Sequence, residues 1–202
     1  MIQAEGVNAI PYCSIGNIIS EFKELNDVIQ PDLVVLGKKG EGHPQLKGKL
    51  TSYLMNDYDR SLLILGEDLV FNKNTKISIA CNENTFKFYD LPLIFSINHP
   101  TKATLKLFHI KSANTPNEKI TVPHALREFS NEIDQNIHIE QSSNVLTGLL
   151  HYVTNSNIEL LCVGRGRPKS FFQKVFSNGS TISTEVVNKI KTPILIIGTG
   201  SN

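Results

Sequence analysis

The sequence predicts an α/β fold built on a doubly wound parallel sheet. Three observations carry the prediction. Short apolar runs recur without alternation: Leu33 to Leu36, Ser61 to Leu65, Leu160 to Val163 and Pro193 to Ile197. Runs of that kind suit strands covered on both faces. Stretches with apolar residues at helical spacing lie between the runs. Finally, two runs end in glycine loops, Gly37-Lys38-Lys39-Gly40 and Gly164-Arg165-Gly166-Arg167. In such a sheet crossovers are right-handed, and ligands bind near the C-terminal ends of the strands.

Taken in order, Val7 to Tyr12 is a short, broken strand candidate. Ile15, Ile18, Ile19, Phe22 and Leu25 then recur at helical spacing, with Ser14 as the candidate N-cap and Pro31 as the stop. Leu33 to Leu36 is a strand, 37–44 a loop by its Gly and Pro content, Thr51 to Asp57 a short helix and Ser61 to Leu65 a strand. The polar connector 67–75 is the predicted domain boundary. Lys76 to Cys81 opens a new strand series. Asn84 to Asn98 carries Phe86, Tyr89, Leu93, Ile94 and Ile97 on one helix face. Ala103 to Ile110 alternates as a strand, Pro123 to Ile133 reads as a helix with Pro in its first turn, and Ile137 to Glu140 is a strand. Asn144 caps a helix bearing Val145, Leu146, Leu149, Leu150 and Val153.

Hydrophobic content of 40% and charged content of 19% are ordinary for a globular chain of 202 residues. A net charge of +1 gives no bulk field for nucleic acid or an anionic membrane. No apolar run approaches the roughly 20 residues that cross a bilayer. Met1 to Gly6 lacks the basic and apolar regions of a signal peptide, and the three cysteines, Cys13, Cys81 and Cys162, form no CxxC. A reducing, cytoplasmic setting is the expectation, with Cys81 and Cys162 packed as small apolar groups in or beside core strands. The histidines show no HxxxH, and no metal site is expected.

The chain repeats itself. A shift of 127 residues (164 minus 37) superposes Gly37 on Gly164, Leu33 on Leu160, Leu36 on Val163, Ile18 on Val145, Ile19 on Leu146 and Phe22 on Leu149. At the far end Gly66 meets Gly198, a shift of 132 (198 minus 66). The pattern reads as a tandem repeat. Residues 76–202 form a complete copy and residues 1–66 the C-terminal half of another, without counterparts of Lys76 to Asp134. Either a longer protein has been cut, or its start was lost, or this half docks on another surface.

The order of elements along the chain, the repeat and the Pro193-Ile194-Leu195-Ile196-Ile197 ending together resemble the universal stress protein family, in its tandem form, over nearly the whole chain. The resemblance implies a five-stranded parallel sheet in the order three, two, one, four, five. It also implies an ATP or AMP site after the fourth strand, marked by Gly, two residues, Gly, nine residues, Gly, then Ser or Thr, with an Asp ending the first strand. Here the first copy keeps Gly37 and Gly40, but has Leu50 for the third glycine, followed by Thr51. The second keeps Gly164, has Arg167 for the next glycine, and reaches Gly179-Ser180-Thr181 late. The Asp aligns with Asn82. The family also implies pairing through the last strands, Ser61 to Leu65 and Pro193 to Ile197, within one chain or across a homodimer.

The chemistry such a loop offers is anion binding. Backbone N–H groups reach phosphate oxygens at a helix N-terminus. Asn82, Gly164, Gly166, Arg167, Gly179, Ser180 and Thr181 are the candidate nucleotide contacts, with Arg165 and Lys169 as further cations. Equally, Gly164 and Gly166 can simply turn the chain while Ser177, Asn178 or Ser180 caps a helix. Phe171, Phe172 and Phe176 are local packing or a partner-binding lid, and His124 is a helix-start residue rather than a catalyst. No adenylation, nucleotidyl-transfer or P-loop motif occurs, so no enzyme is expected. Two functions remain: a stress-response regulator that binds ATP or AMP without fast catalysis, or a member that has lost the nucleotide and acts as a scaffold for an unknown protein partner.

Overall fold

In the computed structural model, the described residues are 6–38, 47–66, 72, 74–81, 91–112, 122, 124–127, 129, 131–164 and 187–198. The chain forms two compact units, Met1–Pro31 and Asp32–Asn202.

The first unit holds α1, Ile18–Ile29. Its N-cap is Asn17 rather than Ser14: the Asn17 carboxamide oxygen accepts from Ile19 N at 3.0 Å and Ser20 N at 3.4 Å. That satisfies two of the N–H groups that the first turn leaves without helical partners. Gln30 ends the helix in the left-handed region at φ 48°. The strand expected at Val7 to Tyr12 does not form. Ile10 is 85% exposed and Pro11 supplies no N–H, so this stretch has neither burial nor a full ladder to hold it extended.

The second unit is built on one seven-stranded sheet. Its strands are β1 (Leu33–Gly37), β2 (Ser61–Leu65), β3 (Ile77–Ala80), β4 (Leu105–Ser112), β5 (Ile133–Ser142), β6 (Leu160–Gly164) and β7 (Ile194–Ile197). The helices are α2 (Lys49–Asn56), α3 (Leu91–Asn98), α4 (His124–Arg127) and α5 (Val145–Asn155). The order across the sheet is β1-β2-β7-β6-β3-β4-β5. All pairs are parallel except β2 with β7. Counted from β3, the strands of residues 76–198 therefore lie three, two, one, four, five. The sheet runs unbroken past the connector 67–75, of which Asn72, Asn74 and Thr75 are described.

Strand alternation sorts the core into two layers. Ile77, Ile79, Leu105, Leu107, Leu160 and Cys162 share one layer with Leu91 and Ile94 of α3 and Leu126 of α4. Residues of opposite parity meet α5. Phe108 stacks on Tyr152 with ring centroids 4.0 Å apart, and Ser78 Oγ lies 3.1 Å from the Tyr152 hydroxyl. Helices thus cover both faces, as a doubly wound sheet requires.

Several element boundaries differ from the sequence expectation, and two regions do so for a local reason. The helix expected over Pro123 to Ile133 is only His124–Arg127, and Ile133 already belongs to β5. Between the pairs Leu105↔Ile133 and Leu107↔Ile137 the register shifts. Asn136 N donates to Asp134 Oδ1 at 2.9 Å, an Asx turn that bulges the strand and hides its start from a period-two reading. Likewise β4 starts at Leu105, because Ala103 is held in a turn: its N–H donates to Thr101 Oγ1 and its carbonyl accepts from Asn98 Nδ2.

Local geometry repeats at the sequence shift of 127. Asn144 caps α5 through Leu146 N and Thr147 N, as Asn17 caps α1, and Asn157 has φ 47° where Gln30 has 48°. The seam between β2 and β7 is self-matching. Its pairs are Leu62↔Ile196, Leu63↔Leu195 and Ile64↔Ile194, so at the shift of 132 Leu63 faces its own counterpart. A Cβ on Gly66 would sit 2.7 Å from Lys191 O, and one on Gly198 2.6 Å from Asp59 O. Residues 59 and 191 are related by the same 132, so each strand end presses on the lead-in of the other.

Candidate functional site

The connection after β3 leads to β4, and the one after β6 leads to β7 on the other side. Adjacent strands whose connections diverge leave a crevice at their C-terminal ends. Here the connections diverge between β3 and β6, which is where the topology puts such a crevice. Gly164, buried, is the last residue of β6 at its rim.

On the β3 side the rim is tied down by backbone bonds. Cys81 N donates to Phe108 O at 2.8 Å, and the Cys81 thiol donates to the same oxygen at 3.2 Å. His109 Nδ1 donates to Cys81 O at 2.7 Å, which fixes the Nδ1-protonated form of that nitrogen. Burial pushes the Cys81 thiol up to about 12 and raises the wholly buried Cys162 as well. Both thiols therefore pack as neutral groups near neutral pH. His109 was not singled out from sequence. The alternation of Ala103 to Ile110 does carry the signal, since it puts His109 in register with Leu105 and Leu107 on the core layer.

Of the candidate nucleotide contacts, Gly164 is the one described. Asn82, Gly166, Arg167, Gly179, Ser180 and Thr181 lie outside the described residues, as do Arg165, Lys169, Phe171, Phe172 and Phe176.

Two described polar groups flank the corresponding stretch after β1, whose residues 39–46 lie outside the described residues. Lys38 Nζ donates to the carbonyl of Ile190, beyond the helical turn at 187–189. A cation at the end of a helical turn satisfies its free carbonyls. Burial also lowers the Lys38 pKa. Thr51, at the motif's hydroxyl position, donates to Lys47 O at 3.2 Å. Neither group is directed to an outside anion. Among the described residues no cluster suits a metal ion, and no helix is long and apolar enough to cross a membrane.

No protein-family model matches the chain, and no curated protein sequence matches it. Solved structures do. A universal stress protein from Archaeoglobus fulgidus DSM 4304 is similar over 98% of this chain and 74% of its own, at 17% identity and TM-score 0.70. A functionally unknown protein from Pseudomonas aeruginosa PAO1 covers 85% of this chain, which spans 64% of it, at 14% identity and TM-score 0.58. A further match is a putative universal stress protein from Pseudomonas aeruginosa UCBPP-PA14, covering 85% of this chain and 65% of its own at 15% identity and TM-score 0.55. The chain has the fold of universal stress proteins.

Proposed function

We propose that this chain, with that fold, is a stress-response regulator that binds ATP or AMP in the β3/β6 crevice and releases it without fast catalysis. The reading rests on one observation: the sheet's connections diverge between β3 and β6, and β6 ends there in Gly164 at the head of a glycine and arginine loop. Backbone N–H groups in such a loop carry the phosphates. Asn82, next after Cys81, is the hydrogen-bonding group for the ribose, and Ser180 or Thr181 supplies a hydroxyl. In the same reading the chain is a tandem of two related halves working in the cytoplasm.

A second reading has its own support. Lys38 and Thr51, on either side of residues 39–46, bond to carbonyls of the chain itself. They favour a scaffold that has given up nucleotide and binds another protein.

Calorimetric titration with ATP and Mg²⁺ separates the two. Binding in the micromolar range, lost in Gly164→Val, is the result expected for the regulator. No heat up to millimolar nucleotide would transfer the case to the scaffold, and turnover above background would reject both.

A further inference from the structure

The sheet has two outer edges, and they are built differently. β5, at one edge, carries Asp134, Gln135, Asn136, His138 and Glu140, and Glu140 is paired with His151 at 2.9 Å. Polar and charged side chains protect an edge from adding another strand. β1, at the other edge, reads Leu-Val-Val-Leu-Gly and has no charge at all.

The chain itself records what lies beside such a strand. β1 corresponds to β6 at the shift of 127, and the next strand in sequence pairs with each in parallel, β2 with β1 and β7 with β6. β6 has β7 on one side and β3, parallel, on the other. β1 has β2 on one side and, among the described residues, no strand on the other. Burial follows that difference. Leu160, Leu161 and Cys162 are 1%, 0% and 0% exposed, whereas Leu33 and Val34 are half-buried and Val35 is 50% exposed. On β6, Leu160 N donates to Lys76 O on the β3 side, and Leu161 N donates to Pro193 O on the β7 side. By the same alternation Leu33 N and Val35 N point outward from β1.

We propose that the outer edge of β1 takes up an apolar strand from a partner polypeptide, parallel to β1 and opposite Leu33, Val34 and Val35. The partner chemistry is that of β3: a short run of β-branched residues with small ones between, as in Ile77-Ser78-Ile79-Ala80. Main-chain hydrogen bonds supply the affinity, and the alternate side chains supply selectivity. A second copy of this chain joined β1 to β1 by a two-fold axis would run antiparallel, unlike the β6–β3 pair, so a copy is not the occupant argued for. The proposal stands whether or not a nucleotide binds.

The probe is a synthetic peptide of the sequence of residues 76–80, KISIA, flanked by charged residues for solubility, titrated onto the full chain by NMR. Expected is a saturable shift of the amides of 33–37. A spin label on the peptide's N-terminus should broaden the Leu33 end, and one on its C-terminus the Gly37 end. Val35→Pro removes an outward N–H and should weaken binding about tenfold or more while the other sheet amides keep their positions. Val35→Lys should do the same by charging the edge, and covers the case that proline disturbs β1. No shift of 33–37 at millimolar peptide would overturn the proposal, as would the opposite label pattern. Concentration-dependent dimers that Val35→Lys abolishes, with no peptide binding, would assign the edge to a second copy and overturn it too.

Discussion

Replacing Gly198 by alanine tests the self-matching seam most sharply. The new Cβ would lie 2.6 Å from Asp59 O, 2.6 Å from Arg60 C and 2.7 Å from Ser61 N. All three are backbone atoms, so no side chain can swing away. The lead-in to β2 must move, which strains the Gly198 N–H···Ser61 Oγ bond of 2.9 Å, a buried bond. Overpacking of this kind costs about 1–3 kcal/mol, and losing the bond about 1 more. The expected loss is therefore ~2–4 kcal/mol, or a fall in Tm of roughly 4–16 °C for a chain of this size. Urea melts of the full chain followed by circular dichroism measure it. Gly37→Ala is the control: it too ends an apolar strand, but its Cβ would meet nothing within 4 Å. Its change should stay within about 0.5 kcal/mol. If Gly198→Ala proves no less stable than Gly37→Ala, the seam is not packed as argued.

Two further outcomes can be checked on the same melts. Asn144→Ala leaves Leu146 N and Thr147 N without their acceptor and should destabilise by about 1 kcal/mol, with Asn144→Ser recovering most of it. Alkaline pH should weaken the fold through the buried thiols. Their pKa is raised on folding, so above the unfolded value the native chain holds protons that the unfolded chain releases. That stability is complete below the unfolded thiol pKa and lost as pH climbs towards about 12 for Cys81. Each thiol adds a slope of at most about 1.4 kcal/mol per pH unit, and Cys81→Ser should flatten the profile by one such step.

The strands with continuous apolar runs were the legible part of this fold. Ser61–Leu65 and Leu160–Gly164 stand where the composition puts them, because burial on both faces leaves no room for polar residues. The sequence places the start of β5 four residues late because a bulge is a tertiary compromise: Asp134 turns the chain locally, and only pairing with β4 shows that the strand continues through it. Asn17 lost to Ser14 as the expected cap because both types suit that position, and helix phase decides between them. Of the candidate contacts Gly164 is the described one, and it ends β6 where the apolar run Leu160 to Val163 stops. The partner of Lys38 was not legible, since Ile190 lies 152 residues away in the sequence. Similarly, the sequence left open whether the last strands pair within one chain, and the register Leu63↔Leu195 makes that pairing here.

That pairing has a consequence for biosynthesis. Leu63 must wait for Leu195. At roughly 5–20 residues per second, the ribosome needs about 7–26 s to bridge them. Throughout that interval β2 has emerged as five residues, four of them aliphatic, without the neighbour that later shields it. Nascent chains of this protein should therefore be clients of a holding chaperone, bound over the segment around 61–65 and let go when residue 197 clears the exit tunnel.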